Sequence, residues 1–172
     1  RFSLRPPKLM EINKLNNLVE LFYLQYKKQN KKRIFLRSLN NKGSTFTWEE
    51  AYKNVVKLSL RINKYITKGD RCLILSENRP EWMIADLSIM LSGGITVPAY
   101  TTYTERDYEY IIDDCEPTII FISNKLQYEK IKSIIFKKKY IKKIKILNLI
   151  DNLDKNFHID INEIFQSEDI KD

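Results

Sequence analysis

The chain has 172 residues, 43% of them hydrophobic and 12% aromatic, a balance that supports a buried core and excludes a disordered chain. Lys and Arg outnumber Asp and Glu 30 to 22, but the net +8 is spread along the sequence with no nucleic-acid motif beside it. It therefore reads as a solvated surface, and nucleic acid is not expected as a partner.

Pro6-Pro7 forbids helix, so the start of the chain is expected to be extended. We place an extended segment at residues 1–11 and a domain at 12–172. Asn17 to Gln29 reads as a helix with Leu18, Leu21, Phe22 and Tyr26 on one face. Its basic end, Lys27 to Arg33, suits the negative pole of the helix dipole. Ile34 to Leu39 and Thr45 to Thr47 form a hairpin around the turn residues Asn40 to Gly43. Gly43-Ser44-Thr45 is not a phosphate loop, because it lacks the Lys and opens no helix. Thr47-Trp-Glu-Glu50 is a capping box for a helix running to about Ile66. Its buried stripe is Ala51, Val55, Leu58, Ile62 and Ile66.

Cys72 to Leu75 is a short apolar run, the mark of a strand buried on both faces. Asn78 or Arg79 then caps a helix with Pro80 in its first turn. Met83, Leu87, Met90 and Leu91 form one apolar face, and Trp82, Ile84 and Ile89 carry it almost all round. Glu81, Ala85, Ser88 and Ser92 leave a narrow small or polar stripe, open to solvent or to another backbone. Gly93-Gly94 stops the helix, and Ile95 to Val97 is a second strand that Pro98 ends. Strand, helix and strand make a βαβ unit with a parallel pair.

Thr104 caps the next helix with Asp107, its inner face being Tyr108, Ile111 and Ile112 and its limit Pro117. Thr118 to Ile122 is a third buried strand. Lys125 to about Phe136 is a helix with Ile131, Ile134 and Ile135 inward, and Ile144 to Leu149 a further strand. From Asp151 onward the pattern supports no assignment. The expected fold class is α/β, a parallel sheet with helices on both faces behind a short β-hairpin.

Ser76-Glu-Asn-Arg-Pro-Glu-Trp82, then Ala85-Asp86-Leu87, then Gly93-Gly94-Ile-Thr-Val-Pro98, resembles the AMP-forming acyl-CoA synthetases, the long-chain fatty-acid members most of all. The resemblance runs from about Thr45 to Asn124, and Thr47-Trp48-Glu49-Glu50 matches an early feature of that family. It implies an enzyme that joins a fatty acid to ATP as acyl-AMP and passes the acyl group to CoA, using Mg²⁺. The family places this chemistry on a Thr-Ser-Gly-Thr-Thr-Gly-x-Pro-Lys loop, a Tyr-Gly-x-Thr-Glu run, a ribose-binding Asp and a C-terminal Lys. None of these motifs occurs in the 172 residues, so no catalytic, cofactor-binding or metal residue is assigned. With no initiator Met, the chain is expected to be a fragment or a processed product, and the resemblance implies that it is the first part of the enzyme's large N-terminal domain, inactive by itself. A free-standing α/β binding or regulatory module is the alternative.

Three places deserve weighing without the family. Glu77, Arg79, Glu81 and Asp86 cluster at the start of the central helix, where capping and ion pairing explain them. Tyr100-Thr-Thr-Tyr103 offers hydroxyls beyond the carboxyl end of a strand, where α/β folds place ligands. Lys137 to Lys143 would suit peripheral contact with an anionic membrane, but no apolar face with aromatic anchors accompanies it. Cys72 and Cys115 lack metal spacing and read as reduced thiols of a cytoplasmic protein, and His158 has no acid, thiol or metal-ligand pattern around it.

Overall fold

The computed structural model describes residues 15–39, 43–137, 144–148 and 158–167. The expected extended segment at the N-terminus, the turn at 40–42 and the basic run from 138 to 143 fall outside them.

Helix α1 (Leu18–Lys28) is capped by the Asn17 side chain, which accepts from the Glu20 amide. Phe22 is buried, but Leu18 is 62% exposed, so the buried face is narrower than the sequence suggests. Strands β1 (Ile34–Arg37) and β2 (Thr45–Thr47) pair antiparallel as the hairpin. β1 stops two residues short of Leu39, which is fully exposed.

Helix α2 (Trp48–Ile62) begins at the Thr47–Glu50 capping box. It ends before Ile66, but turn hydrogen bonds from Tyr65 and Ile66 back to Ile62 still deliver Ile66 to the core. Strand β3 (Arg71–Leu75) follows, then α3 (Pro80–Leu91) and β4 (Ile95–Ala99). Next come α4 (Glu105–Cys115), β5 (Ile119–Ile122) and α5 (Lys125–Lys137). The last elements are β6 (Lys145–Asn148), β7 (His158–Asp160) and the single turn α6 (Ile161–Phe165).

The five strands β3 to β7 form one sheet in the order β4-β3-β5-β6-β7, every pairing parallel. Strand alternation sorts the core into two layers. Cys72, Ile74, Ile119 and Phe121 face α2, α3 and α6. Leu73, Leu75, Ile120 and Ile122 face α4 and α5. All eight side chains are fully buried, which is why both strands read as unbroken apolar runs.

Two expectations for the central unit need correction. Strand β4 does not end at Pro98, which pairs in register with Ile74. The strand lies at the edge of the sheet, where the missing N–H breaks no inner ladder. Met83 and Leu91 are 39% and 43% exposed, whereas Ile84, Ala85, Ser88 and Ile89 point inward. The small stripe, not the large side chains, sets this orientation. Ser88 Oγ donates to Val55 O (3.1 Å) and Ser92 Oγ to Ser59 O (3.1 Å), so α3 lies closely along α2. Of the two openings read for the stripe, another backbone takes it.

At the end of α3, the Gly94 amide bonds Ile89 O and the Gly93 amide bonds Met90 O, with Gly93 left-handed at φ +76°. This is the Schellman arrangement expected of the Gly-Gly pair.

Candidate functional site

β4 and β5 flank β3, and the connections leaving β3 and β5 lead to helices on opposite faces of the sheet, the kind of switch point outside which α/β folds place ligands. Ser76-Glu77 leaves β3 there and Ser123-Asn124 leaves β5. Asn124 Nδ2 donates to Glu77 Oε1 (3.1 Å), and Arg79 Nη2 lies 3.3 Å from Glu77 Oε2. Burial pushes the Glu77 carboxyl up, but its own backbone amide, Arg79 and Asn124 together hold it below its ordinary value. Glu77 therefore stays a carboxylate well into the acid range.

Of the four charged residues singled out in the sequence, an ion pair joins Glu77 and Arg79. Glu81 is buried within the first turn of α3, where a carboxylate suits the positive end of the helix. Asp86 sits half-buried one turn further on. Arg79 occupies the N-cap position but makes no side-chain cap bond. Its Nε and Nη1, and the Ser123 Oγ, are buried without a hydrogen-bond partner.

The loop Tyr100–Thr104 leaves β4 at the same edge. Tyr100 is 72% exposed and packs edge-on against Tyr103, ring centroids 5.4 Å apart. Thr104 and Asp107 form the capping box that starts α4. The Tyr108 hydroxyl donates to Tyr100 O (2.7 Å) from a fully buried ring. Burial, helped by the charges of Asp107 and Glu77 and by Tyr103, pushes this phenol up to about 12, so it remains a donor. Gln127 and Lys130 of α5 reach the same loop, a convergence that the sequence gives no means of finding.

Among the described residues no group of three His, Cys, Asp or Glu side chains could hold a metal ion, and no helix is long and apolar enough to cross a membrane.

This order of parallel strands, with helices on both faces and the hairpin before it, defines an α/β fold. The model of the AMP-binding enzyme family matches residues 23–171, and the chain belongs to that family. The match extends well beyond Thr45–Asn124 on both sides. Among curated relatives, the long-chain-fatty-acid–CoA ligase FadD15 of Mycobacterium tuberculosis is 30% identical over 89 residues, 51% of this chain and 15% of that protein. The long-chain-fatty-acid–CoA ligase ACSBG2 of Xenopus laevis is 36% identical over 84 residues, 49% of this chain and 11% of its own length. Long chain acyl-CoA synthetase 3 of Arabidopsis thaliana is 30% identical over 110 residues, covering 62% and 16% respectively. The chain thus aligns with a small part of each relative.

Two solved structures show the same fold at low identity. A luciferase-like enzyme of the mealworm Zophobas morio superposes with a TM-score of 0.74 at 17% identity, over 95% of this chain and 36% of its own. The anthranilate CoA ligase AuaEII superposes with a TM-score of 0.73 at 16% identity, over 87% and 27%. Family membership leaves the free-standing regulatory module without support.

Proposed function

We propose that this chain belongs to an enzyme that activates a long-chain fatty acid with ATP to acyl-AMP and transfers the acyl group to CoA. The observation that carries the reading is the family match over residues 23–171, joined by relatives named as long-chain ligases that align over 84 to 110 residues of the chain. Within that enzyme the described residues act as scaffold. The parallel sheet holds a carboxyl edge at which Glu77, Asn124 and the Tyr100–Thr104 loop stand, and this edge forms a rim for substrate.

Adenylyl transfer needs positioned donors on the phosphates and a cation on the moving charge. The family's phosphate loop is absent from the sequence given, and the described residues offer no cluster suited to Mg²⁺. No step is therefore assigned to a metal here, and the 172 residues alone are expected to bind ATP weakly and to form no adenylate. Of the basic run at 137–143, little salt-sensitive binding to anionic vesicles is expected.

The deciding assay is palmitate-dependent exchange of pyrophosphate into ATP. It is run on the 172-residue chain and on the gene product as the cell makes it. Exchange by the cellular product and none by the short chain is the expected result. Absence of exchange in the cellular product would refute the ligase reading, and exchange by the short chain would place a complete site among residues assigned here to scaffold.

A further inference from the structure

The Tyr100–Thr104 loop lies at the surface, where water would ordinarily satisfy its carbonyls. Instead, three of them are held by side chains from the two helices behind it. The Tyr108 hydroxyl donates to Tyr100 O at 2.7 Å. Lys130 Nζ donates to Thr101 O at 2.7 Å and to Tyr103 O at 3.4 Å. Gln127 Nε2 stands 3.5 Å from Thr101 O. Gln127 is only 3% exposed, and its Oε1 stands 3.2 Å from the Tyr108 hydroxyl. Its backbone amide is bonded by Asn124 Oδ1 (3.0 Å), the residue that also binds Glu77. The clamp is therefore continuous, through Asn124, with Glu77 at the carboxyl end of β3.

The loop's donors are divided just as clearly. The Tyr103 amide bonds Tyr100 O, and the Thr104 amide bonds the Asp107 carboxylate. Among the described residues the amides of Thr101 and Thr102 donate to no protein acceptor. The carbonyls of Tyr100, Thr101 and Tyr103 are thus taken up within the fold, while the amides of Thr101 and Thr102 are left for an outside acceptor. A partly buried ammonium behind such a loop makes charge-assisted bonds, roughly twice as strong as neutral ones, and so resists rearrangement.

We propose that Lys130 is a positioning residue which, with Gln127 and Tyr108, fixes the Tyr100–Thr104 loop so that Thr101 and Thr102 offer donors to an anionic oxygen of a substrate. The proposal rests on the ligase reading, whose fatty acid, ATP and CoA all carry such oxygens. Lys130 itself touches no substrate and acts through the loop.

The test uses the cellular gene product with Lys130→Met, which keeps the aliphatic stem, and Lys130→Arg, which keeps the donor. Amide hydrogen exchange is followed in a peptide spanning Tyr100 to Thr104, and KM and kcat are measured separately for palmitate, ATP and CoA. Lys130→Met is expected to speed exchange of the Tyr103 and Thr104 amides, the bonded ones in the loop, about tenfold. It should raise KM for one of the three substrates about fivefold or more while kcat changes less than about twofold. The substrate affected identifies the oxygen, and Lys130→Arg restores both readouts. Unchanged loop exchange overturns the clamp. Faster loop exchange with all three KM values unchanged reduces Lys130 to a structural tie and overturns its positioning role. A wild-type enzyme without palmitate-dependent pyrophosphate exchange refutes the ligase reading and the substrate half of the proposal together, and the loop measurement still decides whether the clamp exists.

Discussion

A methyl group at Gly94 would stand 3.0 Å from both Ile66 Cδ1 and Ile89 Cγ2, and 3.3 Å from the Asp70 carbonyl oxygen. Neither isoleucine has room to withdraw, since Ile89 is fully buried and Ile66 nearly so. Gly94→Ala should therefore lose about 1–3 kcal/mol in urea melts, the usual penalty of overpacking. Leu87→Ala should lose about 2–5 kcal/mol by the opposite route, a cavity that relaxes only in part. The thiols give a pH signature. Burial, reinforced by Asp70, pushes Cys72 up to about 12. Burial also leads at Cys115, pushing it up to about 11 although the Arg71 cation pulls the other way. Unfolded thiols ionise near pH 9 while the native ones keep their protons, so stability should fall as pH rises from about 9 towards 12. Replacing both cysteines by Ser should flatten that alkaline decline in melts at a series of pH values. Native protein at pH 8 should also alkylate slowly with iodoacetamide, faster only when urea opens the fold.

Helix ends are governed by local chemistry, and they are where the sequence is most legible. Thr47 with Glu50 and Thr104 with Asp107 both close as capping boxes, as their spacing predicts. Thr47→Ala and Thr104→Ala should each lose about 1 kcal/mol by thermal melt. Being on separate helices with no shared partner, the losses should add. The facing of α3 was harder to read, because a helix apolar nearly all round gives its period no direction. Only when α2 is present do Ser88 and Ser92 find Val55 O and Ser59 O and fix the rotation, leaving Met83 and Leu91 outside. Pro98 misleads for a related reason, since whether proline ends a strand depends on whether the strand is an edge. At the candidate site the hydroxyl-rich loop and Glu77 were visible as residue types. Gln127 and Lys130 were not, because their partners are backbone carbonyls, which every sequence possesses.

At the scale of the molecule, protection against hydrogen exchange should follow strand position. β3 and β5 are flanked on both sides and buried on both faces, so their amides should exchange only through global unfolding. Amides of β4 and β7, the outer strands, should exchange sooner, and mass spectrometry of peptic fragments would read this gradient. Comparable protection at the edges and the centre would mean that the outer strands are covered in solution. The strand order also bears on how the protein is made. The ribosome delivers β3 and then β4, so the first pair can close at once, but the second partner of β3 is β5, on the order of 50 residues later. At about 5–20 residues per second, β3 waits roughly 2–10 s with one ladder of amides and carbonyls unmatched and the bed for α4 and α5 bare. During translation that interval is the chain's period of greatest exposure to wrong pairing, and a chaperone acting on the nascent chain would have its natural target between the emergence of Leu75 and that of Ile122.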